Sequence, residues 1–276
     1  IARVPALRDR EYGLNNTNEG LPVSGGTFDG EVKLGSDANL TVSGGVSKTN
    51  VGGIFAGSKT KLTLDHVTLS GNTAAGNGGN LYNEGATVTI TGSTIENGKA
   101  TGSGKYGGNI VIGGKGTITM TDTVVRGGTT AGAAGSIYVG NGSTLNATKT
   151  TLTGGTAGTS GGNLYLEGGI ATFTDSTIEN GKAPSGQAGN IVATSTAKLT
   201  LNNTKVKNGT SNASANLYVG ANTVLNFTDT EFSGGVAKTY AGNIYLGSKS
   251  NTTMNRVPIS GGTAGTHGGN LYSENG

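Results

Sequence analysis

Two histidines, sixteen carboxylates and nine tyrosines are the residues of this chain that could move a proton, hold a cation or stack on a ligand. Their spacing argues against catalysis. Glycoside hydrolysis needs two carboxylates facing one bond, and a calcium-assisted site needs a cluster of them. Here the acids alternate with bases: Asp122, Lys149 and Asp175 recur at one position, Glu96 answers Arg126, Glu179 answers Lys207 and Lys205 answers Glu231. Charges so arranged relieve repulsion between neighbours, whereas a catalytic site would gather like charges or carboxylates with perturbed pKa. His66 and His267 are separated by most of the chain, and no cysteine is present to supply a thiolate, a disulfide or a sulfur ligand. The expectation is a protein without catalytic residues, metal or cofactor.

Tyrosine and asparagine are not scattered. Gly-Gly-Asn-Leu-Tyr stands at 78–82, 161–165 and 268–272, with variants at 107–111, 134–138, 188–192, 214–218 and 241–245. The Asn of this motif forms one series (Asn80, Asn109, Asn163, Asn190, Asn216, Asn243, Asn270), with Gly53 and Ser136 filling its gaps. Successive members differ in number by 27, 29, 27, 27, 27, 26, 27 and 27. Two residues on comes Tyr82, Tyr138, Tyr165, Tyr218, Tyr245 and Tyr272, with Phe55, Val111 and Val192 in the same series. Six of nine tyrosines therefore share one position of a repeat.

The elements that carry these series follow from the rest of the repeat. Apolar residues recur with period two after each Asn, as in Ile110/Ile112 and Leu164/Leu166. A second alternating pair follows (Val88/Ile90, Ile118/Met120, Leu199/Leu201), and five residues later a single one (Ile95, Val125, Val206). That pattern is three short strands per repeat, joined by Gly-rich turns. Repetition of this length specifies a solenoid in which each strand stacks in parallel on its counterpart one coil away, about 4.8 Å distant. Gly makes up 53 of 276 residues, which with abundant Thr, Ser and Asn opposes helices. Four prolines and no Gly-X-Y period exclude collagen. The fold expected is all-β, a right-handed parallel β-helix (β-solenoid) of nine to ten coils over residues 21–276, its C-terminal coil incomplete, in a rod roughly 45 Å long. Residues 1–20 do not repeat and read as an N-terminal cap or linker.

In such columns the Asn series is expected to form a structural amide ladder. The Tyr series points outward by alternation, as a strip that stacks upon itself or on sugar rings. Beside it, the second strand presents Thr89/Thr91, Thr119/Thr121 and Thr172/Thr174, broken by Asn or Asp in other coils. Such double Thr arrays resemble those of ice-binding proteins. Nineteen basic against sixteen acidic residues, spread along the chain, make no nucleic-acid surface, and no apolar run reaches the roughly 20 residues of a membrane span.

The recurrent Gly-Gly-Asn-[Leu/Ile]-Tyr coils from about residue 52 onward resemble bacterial surface proteins built from right-handed parallel β-helix repeats, within the broad pectin-lyase-like superfamily. The Gly-Gly-x-[Ile/Leu] element is also similar to the repeat of chlamydial polymorphic membrane proteins. The resemblance implies an extracellular or cell-surface protein, structural or adhesive. Its expected partners are further copies of itself, joined head-to-tail or side by side, and glycans or a host surface.

Overall fold

The computed structural model describes residues 41–274 in full and the backbone of 26–28 and 31–35, so the segment 1–20 read as a cap lies outside the described residues. The described chain has strands and turns and no helix. It winds into a β-solenoid of about nine turns whose strands form four parallel sheets. The first sheet has ten strands, from Gly26–Phe28 to Leu271–Ser273; the second has nine, from Glu31–Gly35 to Asn251–Asn255. The third, Thr41–Ser43 to Ile259–Ser260, and the fourth, Val46–Ser47 to Thr263–Ala264, also have nine each. Every strand pairs with its counterpart one coil away, in the register the repeat predicts, for example Ile137↔Leu164 and Tyr138↔Tyr165.

Three of these sheets are the three predicted strands. The fourth is a two-residue strand, such as Lys99–Ala100 or Lys182–Ala183, within what reads in sequence as a Gly-rich loop. Its one inward side chain per coil is small: Ala74, Ala100, Thr130, Ala157, Ala183, Ser211 and Ala237 are all buried. A lone small residue gives no apolar periodicity, which is why the sequence does not announce it.

Inside, the predicted apolar series form one continuous core from Val42 to Ile244. Volume is balanced between neighbouring coils: Phe173 fills a column next to Ala147 and is flanked along its own strand by Ala171. The corners explain much of the remaining composition. At the turn from the second to the third sheet, His66, Gly92, Asp122, Lys149, Asp175, Asn203, Asp229 and Arg256 all hold φ between 44° and 55°. The next corner is stricter, taking only Gly or Asn (Gly71, Asn97, Gly127, Gly154, Asn180, Asn208, Gly234), the residues that enter the left-handed region at least cost. Where the fourth sheet turns back to the first, a Cβ on Gly162 would stand 2.3 Å from both the Gly189 carbonyl oxygen and the Lys182 nitrogen. Glycine fills this position in the neighbouring coils, with Ala215 the one Cβ the column admits among the described residues.

Candidate functional site

The Asn series is buried except at its last member, Asn270, which is exposed. Asn80, Asn109, Asn163, Asn190, Asn216 and Asn243 are fully inaccessible, and their amides join head to tail along the rod axis. Nδ2 of one donates to Oδ1 of the next at 2.9 Å for Asn80–Asn109 and 2.8 Å for Asn163–Asn190. The chain of amides continues at 2.7 Å (Asn190–Asn216), 2.6 Å (Asn216–Asn243) and 2.8 Å (Asn243–Asn270). The second Nδ2 hydrogen goes to the carbonyl that ends a third-sheet strand, as Asn190 to Lys207, while Oδ1 also accepts the N–H of a corner glycine, as from Gly181. The ladder role expected of these residues is therefore what the structure displays. None of them occupies the left-handed region, which belongs to the corner columns.

Two positions depart from the rule. Gly53 leaves a slot that the side chain of Asn72 enters from another backbone position, accepting from Gly45 N–H and donating to the Val42 carbonyl and to Asn80 Oδ1. At Ser136 nothing compensates: its buried Oγ has no hydrogen-bond partner, so the amide chain is interrupted between Asn109 and Asn163.

The Tyr series lies on the outer face of the first sheet, as alternation requires, but half-buried, and Tyr245 is only 6% exposed. Its rings stack on one another, with centroids 6.1 Å apart for Tyr138–Tyr165, 4.6 Å for Tyr218–Tyr245 and 5.5 Å for Tyr245–Tyr272. Phe55 meets Tyr82 edge-on at 5.7 Å. Arms from the loops preceding Asn109 and Asn243 cover part of the strip: Tyr106 stacks on Tyr138 at 4.6 Å, and Tyr240 touches both Tyr245 and Tyr272 at 5.8 Å. His267, expected to stand alone, joins this cluster 4.9 Å from Tyr272.

Carboxylates complete the strip. The Tyr138 hydroxyl donates to Glu167 and that of Tyr245 to Glu274, both at 2.5 Å. Burial, then these bonds, raise the Tyr138 and Tyr245 pKa well above the ordinary phenol range; burial and Glu84 do the same for Tyr82. Burial also raises Tyr165 and Tyr218. Three glutamates two residues beyond the column thus lock phenols in their neutral form, a link the sequence held in Leu-Tyr-x-Glu without its meaning being evident. Beside Tyr138 and Glu167, a shallow polar groove of about 250 Å³ is also lined by Asn141, Gly168, Ser195 and Thr196.

The paired charges meet as anticipated for Arg126–Glu96 at 2.6 Å and Lys207–Glu179 at 3.2 Å, and Lys205 stands in register with Glu231. In the exposed corner column Arg256 bonds Asp229, which lowers the Asp229 pKa, and Asn203 donates to Asp175 at 2.7 Å. A hydroxyl ladder passed unnoticed in sequence. Ser93, Thr123, Thr150, Ser176, Thr204 and Thr230 are buried at the second corner, and each Oγ donates to the carbonyl two residues earlier. Its signal is the recurrent Thr-x-[Ser/Thr] or Asn-x-Thr triplet that closes most second-sheet strands. Among the described residues no three His, Asp or Glu side chains gather as metal ligands. Comparison with protein-family models, curated proteins and solved structures returned no match.

Proposed function

We propose that this chain is a non-catalytic scaffold, an extracellular β-solenoid rod that serves as a structural or adhesive element of a bacterial cell surface. One observation carries the reading: the residues most capable of chemistry are taken up by ladders within the rod. Asn amides bond other Asn amides, Glu carboxylates hold Tyr hydroxyls, and acids meet bases one coil away. The product of such an arrangement is stiffness along one axis, since each coil touches only its neighbours and every contact repeats. Every coil bonds the next through the same backbone pattern, so any coil left uncovered would take a second copy in the register one copy uses internally, a contact that extends without closing. Electron microscopy of the protein across a concentration series tests this. Straight rods joining into filaments as concentration rises are the expected result; isolated particles at every concentration overturn the fibre version.

A second reading rests on the groove beside Tyr138, where a carboxylate, an amide, two hydroxyl-bearing residues and a phenol converge. Those groups suit a sugar, and the strip would then be a glycan-binding surface. Replacing Tyr138, Tyr165 and Tyr218 by Ala should then abolish retention on a glycan array while the circular dichroism of the coils is kept. An array on which the wild-type protein binds nothing removes this reading.

A further inference from the structure

The outer face of the second sheet holds more than the double Thr series visible in sequence. Its strands are five residues long, so each shows three side chains to solvent, and pairing aligns them across coils. Four consecutive coils place Thr87, Thr89 and Thr91 beside Thr117, Thr119 and Thr121, then beside Thr144, Asn146 and Thr148, then beside Ile170, Thr172 and Thr174. Ten of these twelve positions are Thr and none is ionisable. The coils on either side bring charge back into the same columns, with Lys61 and Asp65 at one end and Lys198 at the other. An uncharged lattice of hydroxyls and methyls, framed by charge and mounted on a rigid sheet, is a surface with a two-dimensional repeat.

We propose that this four-coil threonine face binds ice. The occupant follows from the two spacings. Waters bonded tetrahedrally at about 2.75 Å put second neighbours about 4.5 Å apart, and stack with a repeat of eight-thirds of the bond, about 7.3 Å. Stacked strands repeat every ~4.8 Å, and same-face residues along a strand every ~6.6 Å. Across strands the mismatch accumulates to about 1 Å over three steps but to about 2.4 Å over the eight steps of the whole sheet, and along a strand it is about 0.7 Å on either side of the central residue, so a four-coil patch stays within reach of side-chain lean in both directions. A patch of four coils is therefore the size at which both lattices stay in register. Water anchored to the hydroxyls and held around the methyls then continues into the crystal. Charges would break such a layer, and they lie outside the patch.

Thermal hysteresis and inhibition of ice recrystallisation, measured on the intact chain, test the proposal. The wild type should show both, and Thr119→Lys, an exposed change at the centre of the patch, should reduce hysteresis at least tenfold. Asn226→Lys, on the same face beyond the patch, should stay within twofold of wild type. Circular dichroism verifies folding, and if Thr119→Lys disturbs it, Thr89→Lys carries the same prediction. Absence of hysteresis in the wild type overturns the proposal, as does equal loss in Thr119→Lys and Asn226→Lys. A dimer that Thr119→Lys dissolves, with no effect on ice, overturns it in favour of a self-association surface.

Discussion

Repairing the amide ladder at Ser136 is the sharpest test of what holds the rod together. In intact coils an Asn such as Asn190 makes four hydrogen bonds, accepting from Asn163 Nδ2 and Gly181 N–H and donating to the Lys207 carbonyl and Asn216 Oδ1. The corresponding partners of position 136 are Asn109 Nδ2, Gly128 N–H, the Thr153 carbonyl and Asn163 Oδ1, each at the sequence offset seen in its neighbours. Ser136→Asn should engage all four. At about 0.5–1.5 kcal/mol net for each bond, less about 1–1.5 kcal/mol for ordering the longer side chain, the gain is about 3 kcal/mol. The reverse change, Asn190→Ala, leaves Gly181 N–H buried without its acceptor and weakens three other groups, a loss of about 3–5 kcal/mol. Guanidinium melts give the overall shift. Because a repeat array need not unfold in one step, hydrogen exchange read by mass spectrometry should show the change centred on the altered coil and its two neighbours. If Ser136→Asn gains less than about 0.5 kcal/mol, the least expected of a single hydrogen bond, or lowers stability, the ladder is not the determinant argued here.

Alkaline titration gives an independent check. Folded-state pKa values of Tyr82, Tyr138, Tyr165, Tyr218 and Tyr245 are raised above the ordinary phenol value of 10.0, so the stability they contribute is fully present below pH 10 and is lost as pH rises beyond it. Absorbance at 295 nm should show these phenols ionising together with loss of the β-sheet circular dichroism. Phe173→Ala, at a fully buried site whose column neighbour Ala147 and strand neighbour Ala171 are already small, should cost about 3–5 kcal/mol in a denaturant melt; a loss under about 1 kcal/mol would mean the core collapses freely around the site. Pulling the ends apart along the axis peels strands one coil at a time, so single-molecule extension should advance in steps of one repeat, about 90 Å each at ~3.4 Å per residue. The weakest step should fall at the coil of Ser136.

Much of this could be read before any coordinates. The regular spacing of Gly-Gly-Asn-Leu-Tyr, with apolar residues alternating behind it, leaves parallel stacking as the arrangement that buries every series at once. From that register came the columns of Asn and Tyr and the meeting of Arg126 with Glu96. Period and register are local properties repeated many times, and repetition makes them legible. What the sequence could not settle depends on distances across the coil. The fourth strand carries one small inward residue and has no period of its own. Asn72 reaches the slot of Gly53 from a different backbone position, so no alignment of repeats reveals the substitution. Whether the Tyr strip is an open platform or a half-covered stack was decided by the arms bearing Tyr106 and Tyr240 and by Glu167 and Glu274, which reach the phenols only when neighbouring coils are superposed. The sequence determined which residues share a column; the tertiary structure decided what each column faces, because side-chain contacts between coils depend on the loop paths that connect them.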